Sequence, residues 1–116
     1  MIYIALTGIS RHVLKELSKN RIRTLEIRSP NNFFALLSVQ AGDRIFLTDC
    51  SSSDIVPGTV GLIASIRALQ TITHRTIESS RNYYEERESQ AARVQLQLVA
   101  AGRVRKITNF EPGTPL

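Results

Sequence analysis

The sequence predicts a mainly β, α+β domain: a small, partly closed barrel of five to six strands with one or two short helices. Three observations carry that expectation. Residues 22–28 and 93–99 alternate apolar and polar with the period of two that half-buried strands require. Residues 59–73 form a long run, with Val60, Leu62, Ala64 and Ile66 on one side, that fits a strand. Only residues 11–19 combine helical spacing with a clear start and stop.

Taken in order, Ile2 to Leu6 is a short apolar run that suits a buried strand. Ser10 then stands at an N-cap position, with Ile9 before it and Leu14 at the spacing of a hydrophobic staple. Val13, Leu14 and Leu17 make one stripe on the helix that follows, which ends by Asn20. In residues 22–28, Leu25 and Ile27 fall on one face and Thr24, Glu26 and Arg28 on the other. Ser29-Pro30-Asn31-Asn32 reads as a turn, because the residue before proline is pushed to extended geometry. Phe33 to Leu37 fits either a strand or a helical turn. Ala41-Gly42-Asp43 is a tight turn into a strand at Arg44 to Thr48, and residues 50–58 make the longest loop.

Further on, Gly61 marks a close backbone approach or a bulge. Asn82 and Glu85 have capping-box spacing, which predicts a helical turn over Asn82 to Arg87. Val94, Leu96 and Leu98 point inward on the next strand; Gly102 interrupts it, and Val104 to Ile107 continues it. Residues 1–110 are expected to form one domain, with 111–116 a loose tail.

Composition bounds the function. Of 116 residues, 42% are hydrophobic, enough for one core, and no apolar run approaches the length of a membrane span. The N-terminus has no basic region before its apolar run, and Cys50 is the only cysteine. Both point to the cytoplasm, with no membrane attachment. The net charge of +5 is carried by 12 arginines and only 3 lysines. Arginine matches phosphate and carboxylate bidentately, so the balance raises the prior for a phosphorylated partner; a surface tuned for heat is the plainer explanation.

Several catalytic patterns fail. His12 and His74 lie far apart with one cysteine between them, so no metal site is expected. Nothing local activates Cys50 as a nucleophile, with His74 the only distant base. Gly58 to Gly61 matches a GxxG loop in letters but falls beside a strand. Ser51 to Asp54 offers backbone amides to a phosphate, although an ordinary surface loop has the same composition.

The row Thr24, Glu26, Arg28 is the more informative feature. Residues two apart lie about 7 Å apart on one strand face, so hydroxyl, carboxylate and guanidinium span roughly 14 Å. That suits a base or nucleotide, and it equally suits a solvated strand. Ser29, Asn31 and Asn32 follow directly with hydroxyl and amide groups. Tyr83 and Tyr84 are candidates to stack a base; Phe33 and Phe34 are better explained by core packing. Arg103 and Arg105, two apart, are expected to share a strand face suited to phosphates.

These segments also carry a resemblance. Leu14 to Leu17, Arg23 to Arg28 and Ala41 to Leu47 resemble the ASCH domain pattern. There a helix leads into a GKKTxExR strand and then a GDxI turn and strand. Gly61 to Arg67 is similar to the long strand that follows. The resemblance implies a PUA-like β-barrel, a group in which many members bind RNA. The whole chain further resembles an archaeal family of unknown function that shares TGIS, TxExRSPxNFFAL and PGTxG segments. Thr7 to Ser10, Thr24 to Leu36 and Pro57 to Gly61 match them. Some ASCH proteins hydrolyse amides of modified nucleosides with a Lys and a Thr of the first motif and a further Glu. Here Arg23 replaces that lysine beside Thr24, and a guanidinium is no general base at neutral pH.

The expected function is therefore binding of RNA or a nucleotide-like ligand, without a cofactor. Arg23, Thr24, Glu26, Arg28, Ser29, Asn31, Asn32, Arg103 and Arg105 are the expected contacts. Two alternatives stand beside it. One is a small amidohydrolase-like enzyme using Glu26 and Thr24; the other is a structural subunit of a larger complex. The oligomeric state is open.

Overall fold

The computed structural model describes residues 3–80 and 83–107, apart from the side chains of residues 73–89. The elements are β1 (Ile4–Leu6), α1 (Arg11–Asn20), β2 (Ile22–Ile27), α2 (Pro30–Leu36), β3 (Arg44–Leu47), β4 (Val60–Ser80) and β5 (Tyr83–Arg103). The strands form one five-stranded sheet in the order β1-β3-β4-β5-β2.

The sheet is open, not barrel-like. Closure would require β1 to meet β2, and these strands are the two opposite edges. The helices sit over the face between them: α2 contacts β1 and β5, and α1 contacts β2 and β5. Nor is the sheet purely antiparallel, since β1 runs parallel to β3, with Ile4, Ala5 and Leu6 opposite Ile45, Phe46 and Leu47. The connection between β1 and β3 carries both helices and β2, long enough for a parallel return.

The core lies between the helices and one face of the sheet. Leu6, Leu17, Ile45, Leu47, Ala64, Val94 and Leu96 are fully buried there, and Leu25 and Ile27 nearly so. Ser10 caps α1 as its spacing predicts, its Oγ accepting from Val13 N at 3.2 Å. Leu17 is buried and Val13 and Leu14 pack against the core, so the helix stripe is as expected.

Four local expectations are corrected. Ser29 to Asn32 is not a turn but the start of α2, with Ser29 at the N-cap and Pro30 at the first helical position. Proline serves both settings, because its missing N–H has no partner to lose there. Phe33 is buried in the resulting helix and Phe34 is exposed. Tyr83 to Arg87 is strand, not helical turn; it pairs with Thr76 to Ser80, and Asn82 lies outside the described residues. A capping spacing is a weak signal, and pairing with the preceding strand overrides it. Gly102 does not interrupt β5 but pairs with Gly61. A Cβ on Gly61 would fall 2.2 Å from the Leu47 carbonyl oxygen and 2.5 Å from the Phe46 ring, which is the close approach anticipated there. Finally, β5 ends at Arg103. Residues 104–107 are irregular, with Val104 tied to the Gly58–Thr59 turn by two backbone hydrogen bonds.

Candidate functional site

A cleft of about 360 Å³ opens along the free edge of β2. Its walls come from three places: Gly8 to Ser10 before α1, Arg23 to Arg28 on and just after β2, and Ser29 with Asn32 at the start of α2. Both faces of a strand line one cleft only when the cleft follows the strand's edge. The ladder confirms which backbone groups face it. Leu98 N donates to Arg21 O at 2.7 Å. Because hydrogen-bonded and non-bonded pairs alternate, Arg23, Leu25 and Ile27 direct their backbone toward β5. Thr24 and Glu26 direct theirs outward.

The loop is held against α2 by a contact that sequence order hides. Asn32 is buried, and its side chain bonds both ways to Thr7. Oδ1 accepts from Thr7 N at 2.9 Å, and Nδ2 donates to Thr7 O at 2.8 Å. Expected to contact ligand, Asn32 instead mimics a strand partner and fixes the cleft floor. Both Oδ1 and Nδ2 of Asn32 are engaged at Thr7, each keeping one further hydrogen-bonding position.

The charges are matched. The half-buried Arg23 guanidinium is bound by Glu16 of α1, whose other oxygen lies 2.7 Å from His12 Nε2. Arg28 Nη2 donates to Glu26 Oε1 at 3.2 Å, so this exposed pair presents a carboxylate and a guanidinium side by side. Arg11 donates to Asp49 at 2.8 Å, joining α1 to the end of β3. That bond holds the Asp49 carboxyl below its ordinary range and raises Arg11 above its own.

Of the nine expected contacts, Arg23, Thr24, Glu26, Arg28, Ser29 and Asn32 come together here. Asn31 is exposed on the first turn of α2 without lining the cleft. Arg103 and Arg105 do not share a strand face, since the strand stops at Arg103, and neither lines the cleft. Tyr83 and Tyr84 belong to the far end of the β4–β5 ribbon. Eight residues separate Tyr84 from Ala92, where pairing with β2 ends, a run of about 27 Å along the strand. Their side chains lie outside the described set. In the Ser51–Asp54 loop, Ser51 Oγ donates to Asp54 Oδ2 at 2.8 Å, and the loop does not line the cleft. His74 stands twelve residues beyond Leu62, the partner of Leu47, and is nowhere near Cys50.

Sequence reasoning missed Gly8 to Ser10 as a wall and Glu16 as the anchor of Arg23. The Ser10 cap was the available signal for the first; nothing local signals the second. Among the described residues no group of three metal-ligating side chains occurs, and no helix is long and apolar enough to cross a membrane.

The family described as "Protein of unknown function (DUF473)" matches residues 1–116. The chain belongs to that family. No curated protein and no solved structure matches it. In this DUF473 member the cleft wall at Gly8 to Ser10 and the wall at Ser29 and Asn32 are joined by the Thr7–Asn32 bonds.

Proposed function

We propose that the protein binds RNA or a nucleotide, with the β2-edge cleft taking a single nucleoside unit. The observation that carries this is the convergence of Thr24, Glu26, Arg28 and Ser29 on one cleft whose volume is near the lower end for small-ligand sites. Each group has a role there. Glu26 accepts from an exocyclic base amino group, and Arg28, already held by Glu26, presents its fork to a base edge or phosphate. Thr24 adds a hydroxyl, and the outward backbone of Thr24 and Glu26 offers donor and acceptor in fixed positions. Arg23, tied to Glu16, braces α1 against β2. The resemblance to ASCH and PUA-like domains supports the same class of ligand through the strand motif, although this sheet is open. A cytoplasmic address fits the lone free Cys50.

Fluorescence anisotropy with mononucleotides, single-stranded RNA and hairpin RNA at two salt concentrations tests the proposal. Binding that Arg28→Ala weakens by about 1–3 kcal/mol for the preferred ligand, and much less for others, is expected. Absence of binding at low salt removes it. Turnover of acylated nucleosides that disappears in Glu26→Gln would put an enzyme in its place.

A further inference from the structure

Among the described residues no helix covers the face of the sheet opposite α1 and α2, and its exposed side chains include basic and amide-bearing ones. The strand register places them in rows. Arg44 of β3 pairs with Ser65 of β4, Ser65 with Gln97 of β5, and Gln97 with Ile22 of β2. Four residues along β5, Arg93 stands between Gln70 and Glu26, with Gln95 and Thr24 paired between the two rows. Arg67, at a register shift, donates to Gln97 Oε1 at 3.3 Å and so joins the same face. Arg44, Arg67, Arg93 and Gln97 are all exposed. Among the described residues, Glu26 is the only carboxylate on these rows, and its bond goes to Arg28. Arg44 and Arg93 have no ion pair among the described residues.

We infer that this face is a second binding surface, for the phosphodiester backbone of a single-stranded polynucleotide whose terminal or flipped base enters the cleft. The inference rests on the proposed nucleotide-binding role of the cleft and extends it from a nucleotide to a polymer. Charge complementarity selects the occupant: guanidiniums without an ion pair among the described residues, two strands and four residues apart and so roughly 16 Å from each other, face outward with glutamine amides between them. The glutamine amides add groups that match base edges beside the phosphate-binding arginines. The two surfaces are continuous. Thr24 and Glu26 belong to the uncovered face through their pairing with Gln95 and Arg93, and they also line the cleft. A strand crossing the face from Arg44 toward β2 therefore arrives at the cleft without leaving the protein.

The test compares two variants that each lose two charges. R44Q/R93Q removes two of the three arginines of the uncovered face, and K15Q/K19Q removes the two exposed lysines of α1. Affinity for a mononucleotide and for a single-stranded RNA of about 8 nucleotides is measured across a salt series by anisotropy. The wild type is expected to bind the oligomer more tightly than the mononucleotide. R44Q/R93Q should lose roughly tenfold for the oligomer at low salt and flatten the slope of log K against log salt by about 1.4, with mononucleotide affinity unchanged. K15Q/K19Q should change neither slope nor affinity appreciably. Equal, small effects of both variants on oligomer binding overturn the inference while leaving the cleft intact, provided Arg28→Ala still weakens the mononucleotide. Equal affinity for duplex RNA overturns the single-strand assignment. No binding of either ligand by the wild type removes the cleft proposal and this one with it.

Discussion

The two faces of β5 differ in what holds their side chains. Val94 and Leu96 face the helices and have no exposed surface, whereas Arg93 and Gln97 face outward and Gln95 is half-buried. The contrast recurs among the arginines. In the cleft Arg23 and Arg28 are each bound to a carboxylate, and on the uncovered face Arg44 and Arg93 have no such partner among the described residues. A matched charge fixes geometry and adds little long-range field; an unmatched one leaves its field for a partner. On the proposed reading, the cleft orients a ligand and the face attracts it.

Adjacent substitutions on β5 should break that contrast most sharply. Leu96→Ala, at a fully buried position, should lower stability by about 2–5 kcal/mol in urea melts, while Gln97→Ala should stay within about 0.5 kcal/mol. A large effect of Gln97→Ala would mean that the outer face is part of the packing. Phe46, two residues from Arg44 on β3 and so on the same face, is buried, an exception to that face's solvation. Gly61→Ala would press a methyl against the Leu47 carbonyl and the Phe46 ring and should cost about 1–3 kcal/mol or unfold the edge. Wild-type stability in that variant would show that the Phe46 ring moves freely.

The cleft floor should respond next. Asn32→Ala leaves the Thr7 N–H and carbonyl without partners and should cost about 1–3 kcal/mol, with loss of amide-exchange protection at Thr7. Unchanged protection there would separate the loop from α2. The smallest effect concerns Arg11 and Asp49, both at the surface. The Asp49 carboxyl is held below its ordinary range chiefly by the hydrogen bond from Arg11. Its contribution is present above the ordinary carboxylate range and is lost as pH falls through the lowered value. The small difference in melting temperature between wild type and Asp49→Asn should therefore be seen at neutral pH and vanish in acid.

How much was legible in the sequence depended on how local each signal is. The Leu25–Ile27 and Thr24–Glu26 alternation shows which face is buried, because one-sided burial imposes a period of two whatever the partner strand. The same period exposed most of the cleft's polar groups. Edge identity is different: nothing near β1 or β2 says that they lie on opposite sides of the sheet, so the barrel expectation failed on a non-local fact. The Thr7–Asn32 bonds span 25 residues and turn an apparent ligand residue into a brace. Ser29-Pro30 is ambiguous between turn and helix start for a chemical reason, since proline suits both. The Arg44–Gln97–Arg93 arrangement needs the register of three strands before it exists at all.

The most direct measurement is amide chemical-shift mapping by NMR, with a short single-stranded RNA added to the uniformly labelled protein. The structure predicts one continuous set of perturbed amides running from Arg44 through Gln97, Gln95 and Arg93 to Thr24, Glu26 and Gly8, with Lys15 and Lys19 unmoved. No perturbation at low salt, or shifts confined to α1 and α2 with the β5 outer face silent, would contradict the account.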